Sequence, residues 1–135
     1  MKIRSRFAVA VFSLMLGSVS VYAHHAFNAE FDRNKPVTIT GTVTKLEWMN
    51  PHARFYVDVK DETGKVVNWD FELGSPNNLM RQGWTRTSLK QGDVITVEGF
   101  RAKNAPYVGN ANTVKLANGT RVFAGSSLNA GADTP

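Results

Sequence analysis

Residues 52–73, HARFYVDVKDETGKVVNWDFEL, leave this chain few folds to choose from. Apolar side chains recur at every second position, first Ala53, Phe55, Val57 and Val59, then Val67, Trp69, Phe71 and Leu73. That period belongs to strands with one face buried. The DETGK run between them is a turn, so the two strands are expected to pair as an antiparallel hairpin. Arg54, Tyr56, Asp58, Lys60, Asn68, Asp70 and Glu72 are then expected on the outer, exposed face. A hairpin alone is only marginally stable in water, so further strands must cover its apolar face.

The flanking sequence supplies them. In PVTITGTVTKLEW, Val37, Ile39, Gly41 and Val43 share a face, and Leu46 and Trp48 continue it out of phase. The step of three from Val43 to Leu46 predicts a bulge, and Gly41 permits a sharp bend in a long, coiled first strand. Asn50-Pro51 ends it, because proline lacks the N–H a ladder needs. Ser75-Pro76 is a helix start, an N-cap before proline at the first helical position, and Gly83 stops that short helix after Leu79 and Met80. TRTSLKQGD reads as a second capped turn, leading into a fourth strand, VITVEGF, with Ile95 and Val97 inward. RAKNAPYVGNA reads as a loop, and NTVKLANGTRVF as a terminal hairpin turning at Asn118-Gly119. Trp69 and Trp84 read as core residues.

Three meandering strands, a helix and two more strands, the first strand bent, give a mostly β fold. The expected architecture is a five-stranded OB-like Greek-key barrel with one short helix between strands three and four. The expected divisions are a signal peptide at 1–23, a polar arm at 24–35 anchored by Phe27 and Phe31, the barrel at 36–124 and a disordered tail at 125–135. The segments HHAFNAEFDRNKPVTITGTVTKLEWMNPHARFYVDV, GSPNNLMRQGWTRTSLKQGDVITVEGFRAKN and ANTVKL carry a closer likeness. Over nearly all of the chain after residue 23 it resembles a bacterial family of small exported proteins classed as a domain of unknown function, family 6152. The paired histidines, the NPH triplet and the GSPN-to-GW helix are its specific parts. The resemblance implies an exported OB-like barrel and supplies no activity.

The N-terminus reads as an address. Lys2, Arg4 and Arg6 precede an apolar stretch from Phe7 to Leu16, and Val21 and Ala23 stand where a processing site needs small residues. The uncharged run Phe7 to Ala23 falls short of the roughly 20 apolar residues a spanning helix needs. Cleavage is therefore expected after Ala23, giving a periplasmic or secreted protein with no membrane span in its mature form. The mature chain keeps thirteen cations against eleven acids, so the formal charge falls from +5 to +2. The precursor's pI near 9.7 is accordingly no signature of polyanion binding. The absence of cysteine excludes disulfides, thiolate metal sites and thiol nucleophiles.

Cleavage there would make His24 the first residue, with His25 beside it. An N-terminal histidine offers its amine, of ordinary pKa about 7.7–8.0, and its ring nitrogen as one chelate. A second imidazole completes a nitrogen-rich tetragonal set of the kind that selects Cu(II). The third histidine, His52, lies in the loop joining strands one and two, a rim where OB barrels place ligand sites. The expected metal ligands are therefore His24, His25 and His52 with a copper ion as cofactor, in a carrier or sensor, an arrangement resembling the histidine brace of exported copper proteins. Glu30 and Asp32 are candidates to orient a ring, and Met49 is a candidate weak axial thioether.

The rival expectation is a metal-free binding module for a sugar, a peptide or a protein partner, using Trp48, Tyr56 and Tyr107 as an aromatic rim. Nucleic acid is not expected, because the outer face mixes Arg54 and Lys60 with Asp58, Asp70 and Glu72. Catalysis is not expected either. No nucleophile–base order, carboxylate pair or phosphate loop stands out, and a copper oxygenase wants a larger substrate surface than a small barrel offers.

Overall fold

The computed structural model describes residues 26–123, with backbone alone for 121–123. The expected signal peptide, His24, His25 and the tail from 125 lie outside the described residues. Six strands follow in order: β1 Phe31–Glu47, β2 Arg54–Lys60, β3 Val66–Glu72, β4 Val94–Ala102, β5 Val108–Leu116 and β6 Arg121–Phe123, with a short helix Pro76–Arg81 between β3 and β4. Each of β2 and β4 pairs antiparallel with β1, β3 with β2, and β5 with β4. A parallel pairing of β3 with β5 then closes five strands into a ring, while β6 extends β5 as a hairpin. This order, with the helix at that place, is the OB barrel expected from the sequence.

The 17-residue β1 does two jobs: its residues 36–42 pair with β4, and its residues 42–47 pair with β2. The two pairings overlap at Thr42, and at Gly41 beside it a Cβ would stand 2.4 Å from the Asp58 carbonyl oxygen, closer than any side chain tolerates. The predicted bulge is present, Thr44 being the extra residue between Val43 and Lys45. The hairpin turn is tied by Asp61, whose carboxylate accepts from the Thr63 and Lys65 backbone N–H groups at 2.9 and 3.0 Å.

Inside, Phe71 stacks between Phe55 and Trp69, with centroid distances of 5.4 and 5.5 Å. Each such pair contributes about 0.5–1.5 kcal/mol beyond the area it buries. Val57, Trp69, Phe71 and Val97 are all buried, as the alternation requires. Ser75 caps the helix, accepting from the Asn78 N–H at 3.3 Å with Pro76 in the first turn, and Leu79 seals the barrel beside buried Trp84.

Three readings need correction. The first strand starts at Phe31, inside the stretch 24–35 expected to be a polar arm and five residues before Pro36, and residues 26–30 are helical. Phe27 and Phe31 do anchor this stretch, packing 5.2 Å apart against Ala102 and Phe100 in a second small cluster. The segment RAKNAPYVGNA is a loop only at 103–107, because β5 begins at Val108. Gly109 there marks contact instead of a turn: its missing Cβ leaves room for Phe71 Cε1, 2.8 Å from where that Cβ would sit. Glu72, expected to be exposed, is 5% exposed, covered by the site described next. No helix among the described residues is long and apolar enough to cross a membrane.

Candidate functional site: the rim around His52

The hairpin register builds this rim. Arg54 stands directly opposite Glu72, Tyr56 opposite Asp70 and Asp58 opposite Asn68, and directly opposed side chains on one face lie close enough to interact. Arg54 leans diagonally to grip Asp70 with two parallel bonds, Nε to Oδ1 at 2.9 Å and Nη2 to Oδ2 at 3.0 Å. Its Nη1 also donates to Glu72 Oε2 at 3.3 Å. Such forked guanidinium–carboxylate bonds fix geometry as well as contributing energy.

His52 arrives from the β1–β2 loop, where the Asn50–Pro51 peptide is cis. Its Nδ1 lies 3.1 Å from the other carboxylate oxygen of Glu72, Oε1, and its side chain remains 35% exposed. The bond to Glu72 raises the His52 pKa above its ordinary value; partial burial works the other way, and the negative charges of Glu72 and Glu30 add to the rise. Glu30, at the end of the helical segment, is raised chiefly by burial and then by the negative charge of Glu72, while Arg54 and His52 pull it down. Thus Glu30 and His52 act on each other across the rim. The helical segment is held there by Lys103, whose backbone N–H donates to the Glu30 carbonyl at 2.9 Å and whose ammonium group donates to the Asn28 carbonyl.

The other expected site residues separate. Asp32 turns back on its own strand, accepting from the Asn34 N–H at 2.9 Å, with Lys35 Nζ at 3.8 Å. Met49 is 48% exposed in the same loop as His52. Tyr56 donates its hydroxyl to Glu47 at 3.0 Å. Tyr107 sets its ring edge-on to Trp69 at 5.8 Å, and Arg101 lies over the same indole, 5.1 Å from its centroid. Trp48 lines a groove of about 520 Å³ with Asn50, Asn77, Met80, Trp84 and Arg86. Among the described residues no ring contact joins any two of Trp48, Tyr56 and Tyr107.

What the sequence reading missed is the clamp of Arg54, Asp70 and Glu72. The signal was available: Arg54 and Glu72 lie at equal distances from the Asp61–Lys65 turn, as do Tyr56 and Asp70. No three acidic or histidine side chains among the described residues form a metal-holding group by themselves.

A closed five-stranded ring with a histidine held by a carboxylate on its β1–β2 rim defines an OB-type barrel with a polar rim site. Residues 11–112 match a family of unknown function (DUF6152), and the chain belongs to that family. No curated protein matches the sequence. Among solved structures, the chain is similar to a mitochondrial single-stranded DNA binding protein of S. cerevisiae, Rim1. The two share 9% identity, the likeness covers 62% of this chain and 93% of that one, and the TM-score is 0.48.

Proposed function

We propose that this protein is exported, loses residues 1–23, and acts as a small metal-binding carrier or sensor, copper first, through His24, His25 and His52. One observation carries the reading. His52 stands on the rim with its side chain 35% exposed and its Nδ1 3.1 Å from Glu72 Oε1, and Glu30, in the segment that follows the histidine pair, lies near enough for its negative charge to add to the rise of the His52 pKa. A half-exposed imidazole whose Nδ1 is already engaged keeps Nε2 for a metal, the usual arrangement in histidine metal sites. A polyanion is not the ligand proposed for this face, because Arg54 is committed to Asp70 and Glu72.

The test is a Cu(II) titration of chain beginning at His24, followed by calorimetry and electron paramagnetic resonance. One copper per chain is expected, with His24→Ala and His52→Ala each weakening it. Adding one residue before His24 keeps every imidazole and moves the amine, so affinity should fall. A chain that binds no copper, nickel or zinc overturns the reading.

The groove beside Trp48 favours a second reading, a metal-free module for a short sugar or peptide. Its lining pairs two indoles, Trp48 and Trp84, and the exposed Met80 with two amides and Arg86 and carries no acid. Titration with short neutral oligosaccharides and peptides, followed by indole fluorescence, decides it. A response lost in Trp48→Ala supports it, and no response excludes it.

A further inference from the structure

We propose that Glu72 is a positioning residue that selects which nitrogen His52 offers: it holds Nδ1 as the N–H donor and so turns Nε2 outward as the binding atom. The proposal rests on the metal reading for its purpose and on geometry for its substance.

Both oxygens of Glu72 are committed, Oε1 to His52 Nδ1 at 3.1 Å and Oε2 to Arg54 Nη1 at 3.3 Å. A carboxylate so held cannot rotate to serve the imidazole and release it by turns. Arg54 cannot follow it either, since its Nε and Nη2 are gripped by the two oxygens of Asp70. The line Asp70, Arg54, Glu72, His52 is therefore a chain of fixed parts, three of them on the paired strands β2 and β3 and only the last on a loop.

An ionised carboxylate only accepts hydrogen bonds, so the ring nitrogen facing it must carry the hydrogen. The neutral ring then has its lone pair on Nε2. Free neutral histidine prefers the opposite tautomer, so the barrel imposes a choice that the side chain would not make by itself. Burial of Glu72 strengthens the effect, because water competes little for a carboxylate at 5% exposure.

Long-range ¹H–¹⁵N spectra of metal-free protein, taken above the raised pKa of His52, read the tautomer directly. The expected result is hydrogen on Nδ1 and a bare Nε2. Glu72→Ala should release the preference, while Glu72→Gln, whose amide oxygen still accepts, should restore it. Arg54→Gln frees Glu72 without touching its contact to His52 and should blur the preference in a folded barrel. Hydrogen on Nε2 in the unaltered protein overturns the proposal, whichever variants fold. Cu(II) alone is then titrated, and Glu72→Ala should bind it about 10- to 100-fold more weakly, the usual range when a ligand's orienting partner is lost. If unaltered protein shows the Nδ1–H tautomer but takes no copper, the metal reading fails and the positioning role stands. If copper binds equally well with and without Glu72, the positioning role fails and the metal reading stands.

Discussion

Strands β2 and β3 carry two faces built on opposite terms. Inward, Phe55, Val57, Trp69 and Phe71 are held by shape: they are buried, apolar and stacked, and any of them is replaceable by something of similar volume at modest cost. Outward, Arg54, Asp70, Glu72 and Tyr56 are held by direction, each through hydrogen bonds at fixed lengths. Volume hardly matters there and atom type matters greatly. The difference teaches where each face puts its specificity. The inner face decides that the barrel forms, and the outer face decides which way His52 points.

The largest expected break in that contrast is Phe71→Ala. It removes the middle ring of the stack and leaves a void between Phe55 and Trp69, so urea unfolding should show a loss of about 3–5 kcal/mol. His52 chemistry should survive in whatever fraction stays folded. Arg54→Ala comes next. It removes one of the two partners of covered Glu72 and both guanidinium bonds of Asp70, for an expected loss of about 1–3 kcal/mol. A loss as large as that of Phe71→Ala would mean that the outer face also builds the fold.

The hairpin shows what was legible. Period two fixed the inner residues of β2 and β3, and the Asp61–Lys65 turn set a register that places Arg54 opposite Glu72. The bulge at Thr44 and the cap at Ser75 were readable because each has a local cause, a phase slip and an oxygen before proline. Glu72's burial was not readable. It depends on His52 folding back from another loop onto the carboxylate that the register sets beside Arg54. The start of β5 was hidden for a similar reason: glycine, asparagine and proline spell a loop locally, but Gly109 is there because Phe71 comes close. Helical residues 26–30 read as polar coil, since only Phe27 and Phe31 reveal a buried side, and two residues set no period.

A smaller change sharpens the comparison within the outer face itself. Tyr56→Phe removes one hydroxyl bond to Glu47 while keeping the ring, on a pair that water reaches. The expected loss is smaller than that of Arg54→Ala, because water competes for the bond. A loss as large as that one would place Tyr56 in the same clamp as Arg54, and no change at all would separate them.

The smallest effect is the dependence of metal-free stability on pH, and its sign tests the outer face most directly. His52 has a folded pKa raised above its ordinary 6.5, first by its bond to Glu72, so the folded chain holds the proton more tightly than the unfolded one. Stability rises with pH only where the unfolded state binds more protons, so here it should fall. The His52 contribution is whole below pH 6.5 and is lost as pH rises through the raised folded value. Glu30, raised by burial from 4.5, loses its share in the same direction but in a lower window, beginning near that value. Solvent reaches both groups, so the slopes should be shallow. Urea midpoints taken across pH 5 to 9, above the window in which the lowered pKa values of Glu47 and Asp61 act in the opposite direction, should therefore decline: His52→Gln should erase the upper part of the fall and Glu30→Gln should flatten the lower part. An upper part that persists in His52→Gln would assign it to another group. A stability that climbs between pH 6 and 8 would mean that the imidazole is not held by Glu72 in solution, and the outer face would then lose the directional character that sets it apart from the core.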